Sequence, residues 1–367
     1  MAGRGSRRIL VLASRSSFER FVGPIPNSLL GSFRFVKPSG IGISPCSLAG
    51  CALVISKSYP RPELNRWIFA ARRLGISTML LIDGPLEWAN VYENPTLAAR
   101  GVTGLFEPVA HDIVAAIGDA QAAWVEFRNR GRQIEFMTYK NHRISTGSDG
   151  DGTSTAELVS FDFLLTTAKT PYFDDREKAD LVAALEACAR ALEAGGYKTL
   201  VRLFDPMLLE RVVAEHPTGQ IDESVKFSDA LALCRCVIGT PSSVLLEAMA
   251  LNRPTAMLMF RDAPLFYQSG WLLGRHTSWE EGLESMCRGD PARMAIQQQT
   301  LEDNLSENDL IAYCANMALS PEKAPRRPFD TIDLDFENRV LHRLVGWPEK
   351  GLVSLVRRFF RPTSKSK

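Results

Sequence analysis

The sequence predicts an α/β protein of two domains facing a cleft, with helices at its C-terminal end. Three observations carry that reading. Short β-rich apolar runs alternate with helical stretches along most of the chain, the pattern of βαβ units on a mostly parallel sheet. A stretch rich in Gly, Ser, Thr and Asp, TGSDGDGTSTAE at 146–157, interrupts the alternation as a linker would. The 367 residues suffice for two domains of ordinary size. The expected boundaries are 1–145 for an N-terminal domain and 146–158 for the linker. A C-terminal domain then covers 159–325, and C-terminal helices with a basic tail cover 326–367.

In the first domain, 8–13 (RILVLA) reads as a buried parallel strand, with further strands at 33–37, 52–56 and 78–83. Residues 62–74 read as a helix with Pro62 in its first turn and Gly75 at its end. Residues 112–131 read as a strand leading into a helix that Gly131 stops. In the second domain, strands are expected at 161–167, 199–204, 236–239 and 255–260. Helices are expected at 175–194 (stopped by Gly195 and Gly196), from 228 to 234, and at 242–251. Residues 335–347 and 350–361 read as C-terminal helices.

Composition excludes several classes. A net charge of +1 makes no case for nucleic-acid binding. The first apolar run is too short for a secretory signal, and no apolar run reaches the roughly 18 residues of a membrane-spanning helix. Seven cysteines, an odd number, without a signal imply reduced thiols and a cytoplasmic protein. Cys234 and Cys236 read as packing residues. The D-x-D-G piece of the linker imitates a calcium loop, but Leu158 stands where the closing Glu is required.

The segment with the most chemistry is DALALCRCVIGTPSSVLLEAMALNRPTAML, 229–258. An apolar strand ends at Gly239, and Thr240-Pro241-Ser242-Ser243 opens a helix. Small residues there cap the helix and let backbone N–H groups and hydroxyls approach an anion at its positive end. Glu247 follows one helical turn further in, where a carboxylate can accept both hydroxyls of a ribose. Arg253-Pro254 ends the helix before the next strand.

This segment resembles the C-terminal domain of GT-B glycosyltransferases and related sugar-nucleotide enzymes. It is most similar to capsule and teichoic-acid-type transferases of bacterial surface-polysaccharide (capsule, lipopolysaccharide) synthesis. The resemblance implies two Rossmann-like domains facing a cleft. It gives Thr240, Ser242 and Ser243 the donor phosphates and Glu247 the ribose. The likeness is specific over about 30 residues, looser over 159–260 and architectural over 8–145. Those families carry Arg-x-His-Pro after the preceding strand. Here the run is Arg202-Leu203-Phe204-Asp205-Pro206, so the Arg is kept for a phosphate oxygen and an aspartate replaces the histidine.

Ligands of paired Rossmann-like domains sit at the C-terminal ends of the strands. In the N-terminal domain that edge is Ile82-Asp83-Gly84-Pro85-Leu86-Glu87-Trp88. Asp83 and Glu87 are the candidate catalytic carboxylates, one of them a general base for an acceptor hydroxyl. Trp88 is placed to stack on an acceptor sugar, and Ser16, in the loop after the first strand, to contact acceptor or phosphate. Lys140, His142 and Arg143, at the domain junction, could face the cleft but read first as solvated linker charge, and His216-Pro217 reads as a turn. No G-x-G-x-x-G follows a strand, which disfavours NAD. Asp333-x-Asp335 imitates a metal-binding D-x-D but lies outside any βαβ unit.

The expected activity is transfer of a sugar from a UDP- or CMP-linked donor to a surface-polysaccharide or lipid-linked glycan, with no metal and no cofactor. Two alternatives stand beside it. One is a sugar-nucleotide 2-epimerase, and the other is a non-catalytic scaffold binding glycan or nucleotide. The basic, apolar tail KGLVSLVRRFFR (350–361) can lie on an anionic membrane surface or pack back on the N-terminal domain. The first outcome makes the protein peripheral on the inner membrane.

Overall fold

The computed structural model describes residues 7–37, 45–57, 62–99, 104–145, 159–224, 226–321, 324–328 and 333. The linker and the helices expected beyond 334 lie outside the described residues, as does the basic tail.

Two six-stranded, all-parallel sheets form the molecule. The first contains β1 (Arg8–Val11), β2 (Phe33–Phe35), β3 (Cys51–Ser56), β4 (Ser77–Leu81), β5 (Ile113–Ala116) and β6 (Glu135–Thr138), in the order β2-β1-β3-β4-β5-β6. The second contains β7 (Phe161–Thr166), β8 (Thr199–Arg202), β9 (Gln220–Ile221), β10 (Cys234–Gly239), β11 (Thr255–Met259) and β12 (Trp271–Gly274), in the order β12-β11-β10-β7-β8-β9. That is the 3-2-1-4-5-6 order of dinucleotide-binding sheets, and the first sheet extends the flavodoxin-like order by one strand. Chain direction across the sheet reverses between β1 and β3 and between β7 and β10. Crevices open at the C-terminal strand ends at both places.

Central strands read as continuous apolar runs because both faces are covered. All six residues of β3 are buried, as are all five of β4. Three strands were not anticipated. β9 is a two-residue exposed edge, β12 is a short run ending in glycine, and β6 is an edge strand with only Thr138 buried. β6 and β9 lack the apolar signature that marks buried strands, and β12 is apolar but only four residues long. Helices Trp279–Arg288, Pro291–Asn304 and Leu310–Leu319 were also not anticipated. Each has a capping aspartate or serine at its start: Ser278, Asp290 and Asp309.

The chain passes between the domains more than once. Helix Pro291–Asn304 packs on helix Asp119–Arg128, and helix Leu310–Leu319 lies against β1 and β3. One apolar cluster runs from β1, β3, β4 and β5 through Ile144 to Leu245, Leu246 and Met249 beyond β10. At the far side of the first sheet, Arg327 donates to the carbonyls of Val109 and His111 and to both oxygens of Asp333. Asp333 also pairs with Arg72 at 3.0 Å and with Arg132. This residue of the D-x-D look-alike is therefore a buried ion-pair anchor that ties the returning chain to the first domain.

Candidate functional site

The second crevice is built at the ends of β7 and β10. Gly239 closes β10 where a Cβ would stand 3.1 Å from Leu245 and from both the side chain and the carbonyl of Thr166, so a side chain there would force its neighbours to give by a few tenths of an ångström. The Thr240 hydroxyl accepts the Ala168 N–H at 2.7 Å, stitching together the loops that leave the two strands. Ser242 takes the N-cap position of helix Ser243–Ala250, but its side chain makes no cap bond. Its backbone N–H donates to the Tyr267 hydroxyl at 2.6 Å, which in turn donates to the Ser242 carbonyl at 2.7 Å. The Ser242 hydroxyl is buried without a hydrogen-bond partner. Tyr267 thus fixes the turn, and the serine hydroxyl is not spent on the helix. An open cleft of about 520 Å³ faces this turn, lined by Ala168, Tyr172 and Ser242 on one side and Pro85, Glu87 and Asn90 on the other.

Glu247 lies on the same helix face as Ser243, four residues on. It is 9% exposed. Burial raises its pKa to about 7, with Arg143 and Arg20 acting in the opposite direction. Arg143 Nε stands 2.6 Å from Glu247 Oε1. This arginine comes from the N-terminal half, on the short helix His142–Ser145, whose first turn receives Asn141 Oδ1 on the Arg143 N–H. The helix is seated against the Asp83 turn, because Tyr139 donates to the Ile82 carbonyl and Asn141 to that of Asp83. On that turn a Cβ on Gly84 would meet Ser243 Cβ at 3.9 Å. The five candidate donor residues are therefore not one open patch. Ser242 faces the cleft, while Ser243 and Glu247 face the domain junction.

Arg202 is directed elsewhere. Its Nη1 donates to Asp222 and to the carbonyl and hydroxyl of Ser224, bracing the end of β8 against the loop after β9. Asp205, in the position of the families' histidine, caps helix Pro206–Glu215 through the Met207 N–H and accepts from the Tyr172 hydroxyl. Asp-Pro is the ordinary start of a helix, so the substitution is explained by capping.

On the N-terminal side, Asp83 is a half-exposed carboxylate 3.6 Å from Lys57. Desolvation in the cleft raises its pKa, with Lys57 opposing. Glu87 accepts from the Ala89 and Asn90 N–H groups and, across the cleft, from Arg261 Nη1 at 2.7 Å. Arg261 also donates to the Pro171 carbonyl and stands 3.4 Å from Glu177. Trp88 packs on Tyr92 and Phe266, with centroids at 4.6 and 6.5 Å, and its Nε1 donates to Glu93. Ser16 is exposed in the first turn of helix Arg15–Val22, 3.4 Å from the Ser14 hydroxyl.

The junction charges are not all solvated, which corrects the sequence reading. Lys140 pairs with Glu307 at 2.8 Å, and Arg143 is committed to Glu247. His216 is buried, with Nδ1 2.5 Å from Glu193. Arg143, Arg261 and Tyr267 are the cleft residues that sequence reasoning missed or misread. Their partners lie more than 20 residues away, and no local pattern marks them.

No family model and no curated protein matches this sequence. The fold, however, is shared with solved structures. A putative UDP-N-acetylglucosamine 2-epimerase from Listeria monocytogenes aligns over 89% of this chain and 99% of its own, at 13% identity and TM-score 0.55. A UDP co-structure of S. aureus MnaA aligns over 84% and 94%, at 12% and 0.52. A glycosyltransferase from Rickettsia africae aligns over 87% and 99%, at 12% and 0.51. The class of protein defined here is the GT-B fold, two Rossmann-like domains facing a cleft.

Proposed function

We propose that this protein is a glycosyltransferase that takes a sugar from a nucleoside-diphosphate or -monophosphate donor and passes it to a surface-glycan or lipid-linked glycan acceptor. The observation that carries the reading is the turn after β10. It sits at the β7/β10 reversal beside the open cleft, its Ser242 hydroxyl is buried and unspent, and a buried carboxylate follows one helical turn in. Thr240 shapes that turn. Ser242, Ser243 and the first N–H groups of the helix hold the leaving phosphate, whose developing charge a helix N-terminus stabilises. Glu247 takes the ribose, and Arg202 braces the rim of the crevice through Asp222. Both oxygens of Glu87 are occupied, which favours Asp83 as the base for the acceptor hydroxyl, with Glu87 and Trp88 shaping the acceptor side.

A 2-epimerase is the second reading. What favours it is a second carboxylate on the cleft edge, Asp83, which stands 3.6 Å from Lys57 and whose pKa desolvation raises. Thermal unfolding with UDP, CMP, GDP and CDP tests the donor site. A ligand at a hundred times its Kd adds about 2.7 kcal/mol of stability. The expected result is stabilisation by one of the four nucleotides in wild type and none in Glu247→Ala. No stabilisation by any of them overturns the reading. Incubation with the matching nucleotide sugar then separates the two activities. Release of free nucleotide only when a glycan acceptor is added marks a transferase, and an epimerised sugar still attached to nucleotide marks an epimerase.

A further inference from the structure

Arg143 crosses from one domain to the carboxylate that the proposed donor site uses for ribose. We propose that Arg143 is a donor-binding residue, paired with Glu247 in the structure, that turns to the donor's phosphates when the ribose takes Glu247. The inference rests on the donor-site reading above and adds to it a residue from the opposite domain, with two partners.

The geometry supports both halves. Arg143 Nε lies 2.6 Å from Glu247 Oε1, and Ser243 lies against Gly84. A ribose cannot reach Glu247 unless that guanidinium moves aside. Once displaced, the partly exposed guanidinium is free to pair with an anion that the donor brings. The nearby carboxylate Asp83 already pairs with Lys57, and Arg20 adds positive charge around Glu247. Phosphates held at the start of helix Ser243–Ala250 would lie one helical turn, about 5–6 Å, from Glu247. The long Arg side chain spans that distance without movement of its helix. A planar guanidinium can donate to two phosphate oxygens at once. The anchoring of helix His142–Ser145 through Asn141 and Tyr139 keeps the arginine root in place during the exchange.

The exchange makes a prediction that a purely structural ion pair does not. Removing Arg143 uncovers Glu247, so a ligand with ribose and no phosphate binds as well or better. A ligand with the diphosphate loses a partner and binds worse. The experiment measures, by calorimetry, binding of uridine, cytidine, UDP and CDP to the full-length wild type, Arg143→Ala, Arg143→Lys and Glu247→Ala. The expected result for Arg143→Ala, measured at a pH high enough to ionise the uncovered Glu247, is a diphosphate affinity lower by about tenfold or more, with nucleoside affinity unchanged or raised. Arg143→Lys should recover part of the loss. Equal weakening of nucleoside and diphosphate overturns the proposal in favour of a structural pair. Unchanged or tighter diphosphate binding also overturns it, leaving Arg143 as a cover alone. If wild type binds diphosphate and Glu247→Ala does not, the donor reading stands and Arg143→Ala decides this proposal separately. If wild type binds none of the ligands, both fail together. Unfolding of the unliganded variants shows whether each is folded.

Discussion

Glu247 is a carboxylate held where water scarcely reaches, and under the proposed donor reading its protonation connects stability to nucleotide binding. Its folded pKa of about 7 exceeds the ordinary 4.5, so the folded protein retains a proton that the unfolded chain releases. Stability from this group is full below pH 4.5 and is lost as pH rises through about 7. The difference is on the order of 3 kcal/mol. Denaturant unfolding of wild type and Glu247→Gln at pH 5 and pH 8 measures it, and the wild type should weaken relative to the variant at pH 8. Binding runs the other way. Ribose hydroxyls donate to an ionised carboxylate, so nucleotide affinity should rise between pH 6 and 8 in wild type and stay flat in Glu247→Gln. A flat wild-type profile would remove Glu247 from the ribose. Glu247 itself was legible in the sequence, because a turn and the residue one helical turn later are set by local spacing. Its partner was not. Arg143 reads as one of several junction charges, and only the fold brings it 2.6 Å from that carboxylate.

At the scale of elements, the N-terminal cleft edge depends on how closely one helix approaches another. A Cβ on Gly118 would lie 2.3 Å from the Asn304 carbonyl carbon, so the end of helix Pro291–Asn304 touches the backbone that opens helix Asp119–Arg128. Asn304 Oδ1 accepts from Gln121 at 2.7 Å, and Gln121 Oε1 accepts the Leu86 N–H at 2.7 Å. This chain of bonds positions the Pro85–Trp88 turn beside the cleft. Gly118→Ala should therefore cost about 1–3 kcal/mol through overpacking against backbone that cannot give way. It should also weaken nucleotide or acceptor binding through the displaced turn. A denaturation midpoint equal to wild type would show that the two helices are free to part. The helix at 175–194 and the strand before Gly239 were readable because each carries its own stop signal or apolar run. Helix Pro291–Asn304 was missed because its buried face includes Gln297, Thr300 and Asn304, polar residues that carry no apolar period.

At the scale of the molecule, the C-terminal return is fastened by charge in a buried place. Arg72, Arg132 and Arg327 surround Asp333, and Asp112 pairs with Arg72 at 3.3 Å while accepting the Arg327 N–H. Removing one member leaves buried opposite charge without full compensation, a change that costs about 3–5 kcal/mol. Arg327→Ala should lower stability by that amount and release the segment after Ala318 to protease. Arg327→Lys should recover little, because one ammonium cannot replace donors to two carbonyls and both Asp333 oxygens. Stability equal to wild type would mean the return is held by the apolar cluster under helix Leu310–Leu319 alone.

The sequence by itself determined the α/β alternation, the two-domain division, and the strand–turn–helix at 236–251. Those depend on apolar period, glycine stops and helix caps, which act between near neighbours. The tertiary structure alone decided which charges meet. Arg143 was drawn to Glu247, Arg261 to Glu87, Arg202 to Asp222, and Asp333 into a ring of arginines. An ion pair leaves no mark on local sequence. It forms because burial makes an unpaired charge costly, and burial is known only once both sheets are in place.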